Sequence, residues 1–266
     1  MSLLPLDGRV AVVTGVSRRR GIGFAVASRL ASMGASLFVH HYRPHDEDQP
    51  WGADAIDDLV TDLRAKLSSG SSLHELSLDL RLPDAADQLI DAAVAALGHV
   101  DILVCNHAQS GHDGVLADVT AETLDRHWQV NARSTVLATR AFAEQHDGRR
   151  GGRVVWMTSG QAKGAMTTEI AYVASKAALA GLTASVADGL IERGIVLNTV
   201  NPGPVNTGYL DDDVLQGDQP KVLAHFPSGR FGEPDDPARL IAWLVSDEGR
   251  WVVGQVIDCE GGFRRW

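Results

Sequence analysis

RVAVVTGVSRRRGIGFAVASRLASMGA, residues 9–35, holds the pattern from which the rest of the chain can be read. The first six residues, RVAVVT (9–14), form an apolar, β-branched run of the kind that makes a strand buried on both faces. Ile22, Val26, Leu30 and Met33 then recur at helical spacing, and Gly34 follows as a C-terminal stop. Between strand and helix lies TGVSRRRGIG (14–23), a glycine-rich turn with three consecutive arginines. Gly15, Gly21 and Gly23 would let the backbone approach a pyrophosphate while a helix N-terminus points at it. The flanking strand and helix favour nucleotide binding over a plain turn, although the spacing is not GxGxxG.

Six further runs repeat the strand signal: SLFVHH (36–41), LHELSL (73–78), DILVCN (101–106), RVVWMT (153–158), IVLNTV (195–200) and GQVIDC (254–259). Helical patterns separate them, and the segment 84–97, between Pro83 and Gly98, is the best punctuated. This alternation predicts right-handed crossovers and an α/β fold: a Rossmann-type, doubly wound sheet of about seven parallel strands with helices on both faces. No compositional break divides residues 1–266, so a single domain is expected. Residues 43–54 read as a polar, acidic loop, and 203–233 as a long loop integral to the substrate site.

Composition narrows the partners. A net charge of −10 argues against nucleic acid, which is bound by basic surfaces. Cys105 and Cys259 form no CxxC pair, and Cys105 reads as a buried, reduced thiol. The start MSLLPLDGRV lacks the pattern of a signal peptide and no long uninterrupted apolar run follows, so a cytoplasmic protein without membrane contact is expected.

The second strand ends in His40-His41-Tyr42-Arg43, with no acid until Asp46. An acid there would bind the ribose of NAD and repel the 2′-phosphate of NADP, so NADPH is expected over NADH. Arg18 and Arg43 are the candidate phosphate partners, and Arg19 and Arg20 could swing over the same phosphate or project into solvent. His40, His41 and His45 lack a helical ligand pair and a cysteine, so no metal is expected.

In MTSGQAKGAMTTEIAYVASK (157–176), Tyr172 and Lys176 are spaced to share one helix face. A free phenol, with a pKa of about 10, is a poor acid–base catalyst at neutral pH. A neighbouring ammonium and an oxidised nicotinamide are expected to lower it. Ser159, at a strand end, could hold a carbonyl oxygen against the phenol.

From about Arg9 to Gly262 the chain resembles the short-chain dehydrogenase/reductase family. The resemblance rests on the TG…GIG turn, Asn106-His107-Ala108, Asn131 in VNARS, Ser159, Tyr172, Lys176, NPGPVNTG (201–208) and GQVIDCEGG. It implies that Gly15, Ser17, Arg18, Gly21, Ile22 and Gly23 surround the cofactor phosphates, with His41, Tyr42 and Arg43 at the adenosine ribose. It implies that Asp79 and Leu80 meet the adenine, Asn106, His107 and Ala108 line the cofactor path, and Pro202, Gly203, Val205 and Thr207 hold the carboxamide. Tyr172 would donate a proton, Lys176 bind the ribose, Ser159 orient the carbonyl, and Asn131 hold a proton-relay water.

The turn is two residues longer than the family's usual TGxxxGxG, and Ala108 replaces a glycine, with strain expected if that position needs positive φ. Within the family the chain looks most like 3-oxoacyl-[acyl-carrier-protein] reductases. That likeness implies a 3-oxoacyl thioester substrate, fatty acid biosynthesis, and carrier-protein docking at Arg150 and Arg193. Another ketone or secondary alcohol is the alternative, and an inactive NADP-binding regulator a further one. An enoyl reductase would carry a longer Tyr-to-Lys spacing. The family implies a homotetramer or homodimer, with Ala174, Ala177, Ala178, Ala180 and Gly181 permitting close helix approach.

Overall fold

The computed structural model describes residues 4–265, so Met1, Ser2, Leu3 and Trp266 lie outside the described residues. Seven strands form one sheet: β1 (Val10–Val13), β2 (Ser36–His41), β3 (Leu73–Ser77), β4 (Ile102–Cys105), β5 (Gly152–Met157), β6 (Ile195–Asn201) and β7 (Val256–Asp258). Their order is β3-β2-β1-β4-β5-β6-β7 and every pairing is parallel. The chain winds outward from β1 in one direction and returns beyond it through β4, so a crevice opens between the β1 and β4 ends.

Alternation along each strand builds two cores. Ala11 and Val13 of β1, with Leu37, Val39, Ile102 and Val104, face α1 (Ile22–Ser32) and the late helix Asp235–Val245. Val12, Phe38, Leu103, Val154 and Trp156 point the other way, into a cluster with the helices Ala85–Leu97, Ser134–Gln145 and Ile170–Ile191. Burial on both faces explains why these strands read as unbroken apolar runs. The exceptions are the two edge strands: β3, where His74, Glu75 and Ser77 are exposed, and the three-residue β7, with Val256 half exposed.

In chain order the helices are α1, α2 (Arg43–Glu47), α3 (Ile56–Arg64), α4 (Ala85–Leu97), α5 (Ala121–His127), α6 (Ser134–Gln145), α7 (Ile170–Ile191), α8 (Asp212–Leu215), α9 (Gln219–Leu223) and α10 (Asp235–Val245). Two expectations of plain loop are corrected. Residues 43–54 begin with α2, where Pro44 sits in the first turn and its missing N–H costs nothing. Residues 203–233 carry the short helices α8 and α9. Between α5 and α6 the backbone widens into a π-helix, Trp128–Arg133, a local form often found at functional sites. α7 is the one described helix long and apolar enough to cross a membrane, but it packs along β6 and the π-helix.

Gly98 ends α4 at φ +83, with nothing within 4 Å of where a Cβ would stand. Gly98→Ala is therefore expected to cost about 1 kcal/mol through backbone strain alone. Urea unfolding checks this, with an unchanged m-value expected.

Candidate active site

The C-terminal ends of the strands border a cleft of about 760 Å³, within the roughly 300–1,000 Å³ range of ligand pockets. One end lies under the glycine turn and the other beside Tyr172. At the first end, Gly15 has φ +70, and a Cβ there would stand 2.8 Å from the His107 Cα. A Cβ on Gly23 would stand 2.4 Å from the Gly15 carbonyl oxygen. Asn106 Nδ2 donates to the carbonyls of Thr14 and Gly15, both at 3.1 Å, and so ties the turn to the end of β4. This tight, left-handed backbone under an open cleft fits a dinucleotide pyrophosphate.

His107 extends the tie. Its Nδ1 lies 2.7 Å from Thr14 Oγ1, and its Nε2 lies 3.0 Å from the Val130 carbonyl and 2.8 Å from Ser134 Oγ. Burial, with His40 and Lys176 adding repulsion, holds its pKa well below the ordinary value, so the ring is neutral. A neutral ring can accept from Thr14 and donate to Val130, which links β1 to the π-helix. Burial also lowers the His40 pKa to about 4. The strain anticipated at Ala108 is absent, because among the described non-glycine residues only His112 and Gln216 have positive φ.

The arginines separate clearly. Arg18 lines the cleft, where its Nε donates to Asp46 Oδ1 at 2.8 Å and its guanidinium lies 5.2 Å from the Trp51 ring centre. Asp46 also accepts from Ser17 Oγ, and the Thr207 carbonyl accepts from Arg18. Burial draws the Arg18 pKa below its usual value although Asp46 opposes the shift. Arg19 pairs with Asp62 and donates its backbone N–H to Asp54, while Arg20 makes a two-pronged bridge to Asp211 at 2.7 and 2.8 Å. The lengthened turn thus fastens the glycine loop to segments 43–54 and 203–233.

Two expected contacts fall away. Arg43 turns to Glu47 at 2.8 Å, one turn along α2, and His41 to Glu75 at 2.7 Å, so neither lines the cleft. Tyr42 does line it, with Asp79, Leu80 and Arg81. The sequence reading missed Arg81, which chelates Asp79 and brings Nη2 to 3.4 Å from the Tyr42 hydroxyl. Burial works against the charge of Asp79, yet the Arg81 hydrogen bonds win and its carboxyl sits below the usual range. The signal available was an arginine two residues after the acid.

At the other end Ser159 follows β5, and Tyr172 and Lys176 come from the first turns of α7. The Lys176 ammonium lies 5.8 Å from the Tyr172 ring centre and donates to the Met157 carbonyl at 3.0 Å. Burial lowers its pKa to about 8. Among this chain's own groups, burial pushes the Tyr172 phenol up to about 12, against a pull from the Ser159 hydroxyl. Lys176 is turned to the Met157 carbonyl, and Glu169 adds to the upward shift of the phenol.

Asn131 is wholly buried in the π-helix. Its Oδ1 accepts from the Gln109 N–H at 2.7 Å, and its Nδ2 donates to the Gln109 carbonyl and to Ser175 Oγ. The side chain thus clamps the loop after β4 onto α7. Asp113, another residue the sequence reading missed, accepts from the N–H groups of Ala171 and Tyr172 at 3.1 and 2.7 Å. It caps α7 from a distant loop, where Glu169 makes no side-chain cap. Pro202, Gly203, Val205 and Thr207 line the cleft opposite. Arg150 and Arg193 do not line it. They precede β5 and β6, at the opposite end of the sheet from Ser159.

The buried ammonium makes a prediction. In the unfolded chain Lys176 titrates near the ordinary lysine value of 10.5, and in the folded protein near 8. Below pH 8 both states are charged and the full burial cost is present; the cost fades as pH rises to about 10.5. Lys176→Met should therefore stabilise the protein at pH 7 by about 2 kcal/mol, allowing for the Met157 carbonyl left without its donor. Chemical unfolding at pH 7 and pH 10 checks both the gain and its decline.

Comparison with known proteins agrees with this geometry. A family model described as enoyl-(acyl carrier protein) reductase matches residues 15–264. A Bacillus subtilis protein named "Uncharacterized oxidoreductase YjdA" is 36% identical, with 97% of each chain covered. The "NADPH-dependent aldehyde reductase-like protein, chloroplastic" of Arabidopsis thaliana is 33% identical over 98% of this chain and 96% of its own. A short-chain dehydrogenase from Burkholderia cenocepacia, solved in complex with NADP, superposes with a TM-score of 0.83 at 32% identity, covering 97% of this chain and 98% of that one. The chain belongs to the short-chain dehydrogenase/reductase family of NAD(P)-dependent oxidoreductases.

Proposed function

We propose that this enzyme is an NADPH-dependent carbonyl reductase that converts a ketone to a secondary alcohol. The observation that carries the reading is the convergence of Ser159, Tyr172 and Lys176 at one end of the cleft whose other end is the glycine turn. Bound NADPH supplies the hydride. Ser159 Oγ donates to the carbonyl oxygen, fixing it against the Tyr172 hydroxyl. Tyr172, fully protonated at neutral pH, gives its proton to that oxygen as the carbon accepts hydride. Lys176, with a pKa near 8, is charged at neutral pH and steadies the resulting phenolate. Pro202, Gly203, Val205 and Thr207, which line the cleft, would hold the nicotinamide carboxamide, and positioning does much of the work.

NADPH is favoured over NADH because the β2 end offers no acid to the ribose and Arg18 lies in the cleft. Arg18 is the phosphate partner in this reading. Arg43 is not, because it lies outside the cleft lining. The segment 203–233 forms the substrate loop. The sequence likeness points to a 3-oxoacyl thioester, but Arg150 and Arg193 stand at the far end of the sheet, so a small free ketone suits the site better. The Tyr172–Lys176 spacing supports carbonyl rather than enoyl reduction. Ala174, Ala177 and Gly181 are exposed on α7 and suit close packing against a second copy of the chain.

Tyr172→Phe should lower kcat by about 10²–10⁴-fold and leave NADPH affinity within a few-fold, as followed by nucleotide fluorescence. Substantial turnover by this variant would refute the acid role. Arg18→Ala should weaken NADPH by about 10-fold while changing NADH little. Equal losses for the two cofactors would place the 2′-phosphate elsewhere.

A further inference from the structure

The substrate end of the cleft holds a carboxylate that proton transfer does not use. Glu169 immediately precedes α7, three residues before Tyr172, and lines the cleft with Met166, Tyr172 and Tyr209. Both side chains therefore border the same end of the cleft. The Glu169 side chain is partly buried and has no hydrogen-bond or ion-pair partner among the described residues. The other cleft acids differ: Asp46 meets Arg18, Asp48 meets His112, and Asp79 meets Arg81.

The neighbours offer Glu169 no cation. Lys176 is buried and turned to the Met157 carbonyl, and Arg126 pairs with Glu122. Asp113, behind α7, adds negative charge, with both oxygens occupied by backbone N–H groups and His127 3.9 Å away. Burial and then Asp113 raise the Glu169 pKa, and its charge in turn raises those of Tyr172 and Tyr209. A carboxylate partly stripped of water and facing a cleft is stabilised by whatever donor enters with the ligand. An incoming anion would instead meet repulsion undiluted by bulk water.

We propose that Glu169 selects the substrate class, accepting a hydrogen bond from a hydroxyl or ammonium group carried next to the reacting carbonyl and rejecting ketones that carry a carboxylate or phosphate there. The shared chemistry is a donor within one or two carbons of the C=O group. This rests on the carbonyl-reductase reading above.

Four methyl ketones of similar size test it: butanone, hydroxyacetone, aminoacetone and pyruvate, with NADPH oxidation as the readout. In the unaltered protein, kcat/KM for hydroxyacetone or aminoacetone should exceed that for butanone by 10-fold or more, with pyruvate below butanone. In Glu169→Leu the donor-to-butanone ratio should fall towards one and pyruvate should gain. The inductive effect of the substituent is the same in both proteins, so the change in ratio isolates the contact. Glu169→Gln distinguishes the donors, because it keeps a hydrogen-bond acceptor but loses the charge. Retained hydroxyacetone preference identifies a hydroxyl, and selective loss of aminoacetone preference identifies an ammonium. NADPH binding by fluorescence serves as the folding control for both variants. Ratios unchanged in Glu169→Leu would overturn the inference while leaving carbonyl reduction standing. No turnover of any of the four by the NADPH-bound protein would overturn the small-ketone reading and this inference with it.

Discussion

The side-chain amide of Asn106 donates to two successive carbonyls, Thr14 and Gly15, across the point where the sheet changes winding direction. Strands β1 and β4 are neighbours in space but 89 residues apart at their closest ends, Val13 and Ile102, so nothing local in sequence holds the turn after β1 to the end of β4. Asn106 does so and leaves the glycine turn no slack: side chains at Gly15 or Gly23 would strike backbone at 2.8 or 2.4 Å. His107, the next residue, carries the same tie into the π-helix through Val130 and Ser134. Asn131 and Asp113 then fix the start of α7. One chain of hydrogen bonds therefore runs from the glycine turn to Tyr172. It depends on a neutral His107, which burial enforces.

That rigidity comes with buried polar groups whose protonation states burial controls. Tyr172 is held as a neutral acid and Lys176 near the middle of the usable pH range. Holding the Lys176 charge in a buried site costs folding free energy at neutral pH, as is common where activity and stability compete. The cofactor end works differently: Arg18 is held in the cleft by Asp46, while Arg19 and Arg20 pair with Asp62 and Asp211 outside it. Exposed pairs such as Arg19–Asp62 contribute little to stability. Their geometric effect is to gather segments 43–54 and 203–233 against the glycine turn.

The sheet was legible because its strands are buried on both faces, which writes β1, β4 and β5 as apolar runs in the correct order. Tyr172, Lys176 and Ser159 were legible because their chemistry is tied to sequence spacing and strand ends. Residues acting through long-range contacts were not. Arg43 follows β2 as a phosphate partner would, but α2 turns it to Glu47. Asp113 caps a helix 57 residues ahead of it in the chain, a relation with no local pattern. Asn131 was found by resemblance, but its clamp on Gln109 depends on the π-helix, which apolar spacing does not encode. Glu169 belongs to no motif in the sequence, and only the cleft shows that it lacks a partner among the described residues.

The central claim is that the fold keeps Tyr172 as a neutral acid until the oxidised cofactor's positive ring arrives. Ultraviolet difference titration of tyrosinate, comparing the unaltered protein with Tyr172→Phe, measures this directly, with and without NADP⁺. The account predicts that the Tyr172 contribution ionises near 12 in the free protein and at a distinctly lower pH with NADP⁺ bound. Ionisation at the same pH in both, or near 10 in the free protein, would contradict it.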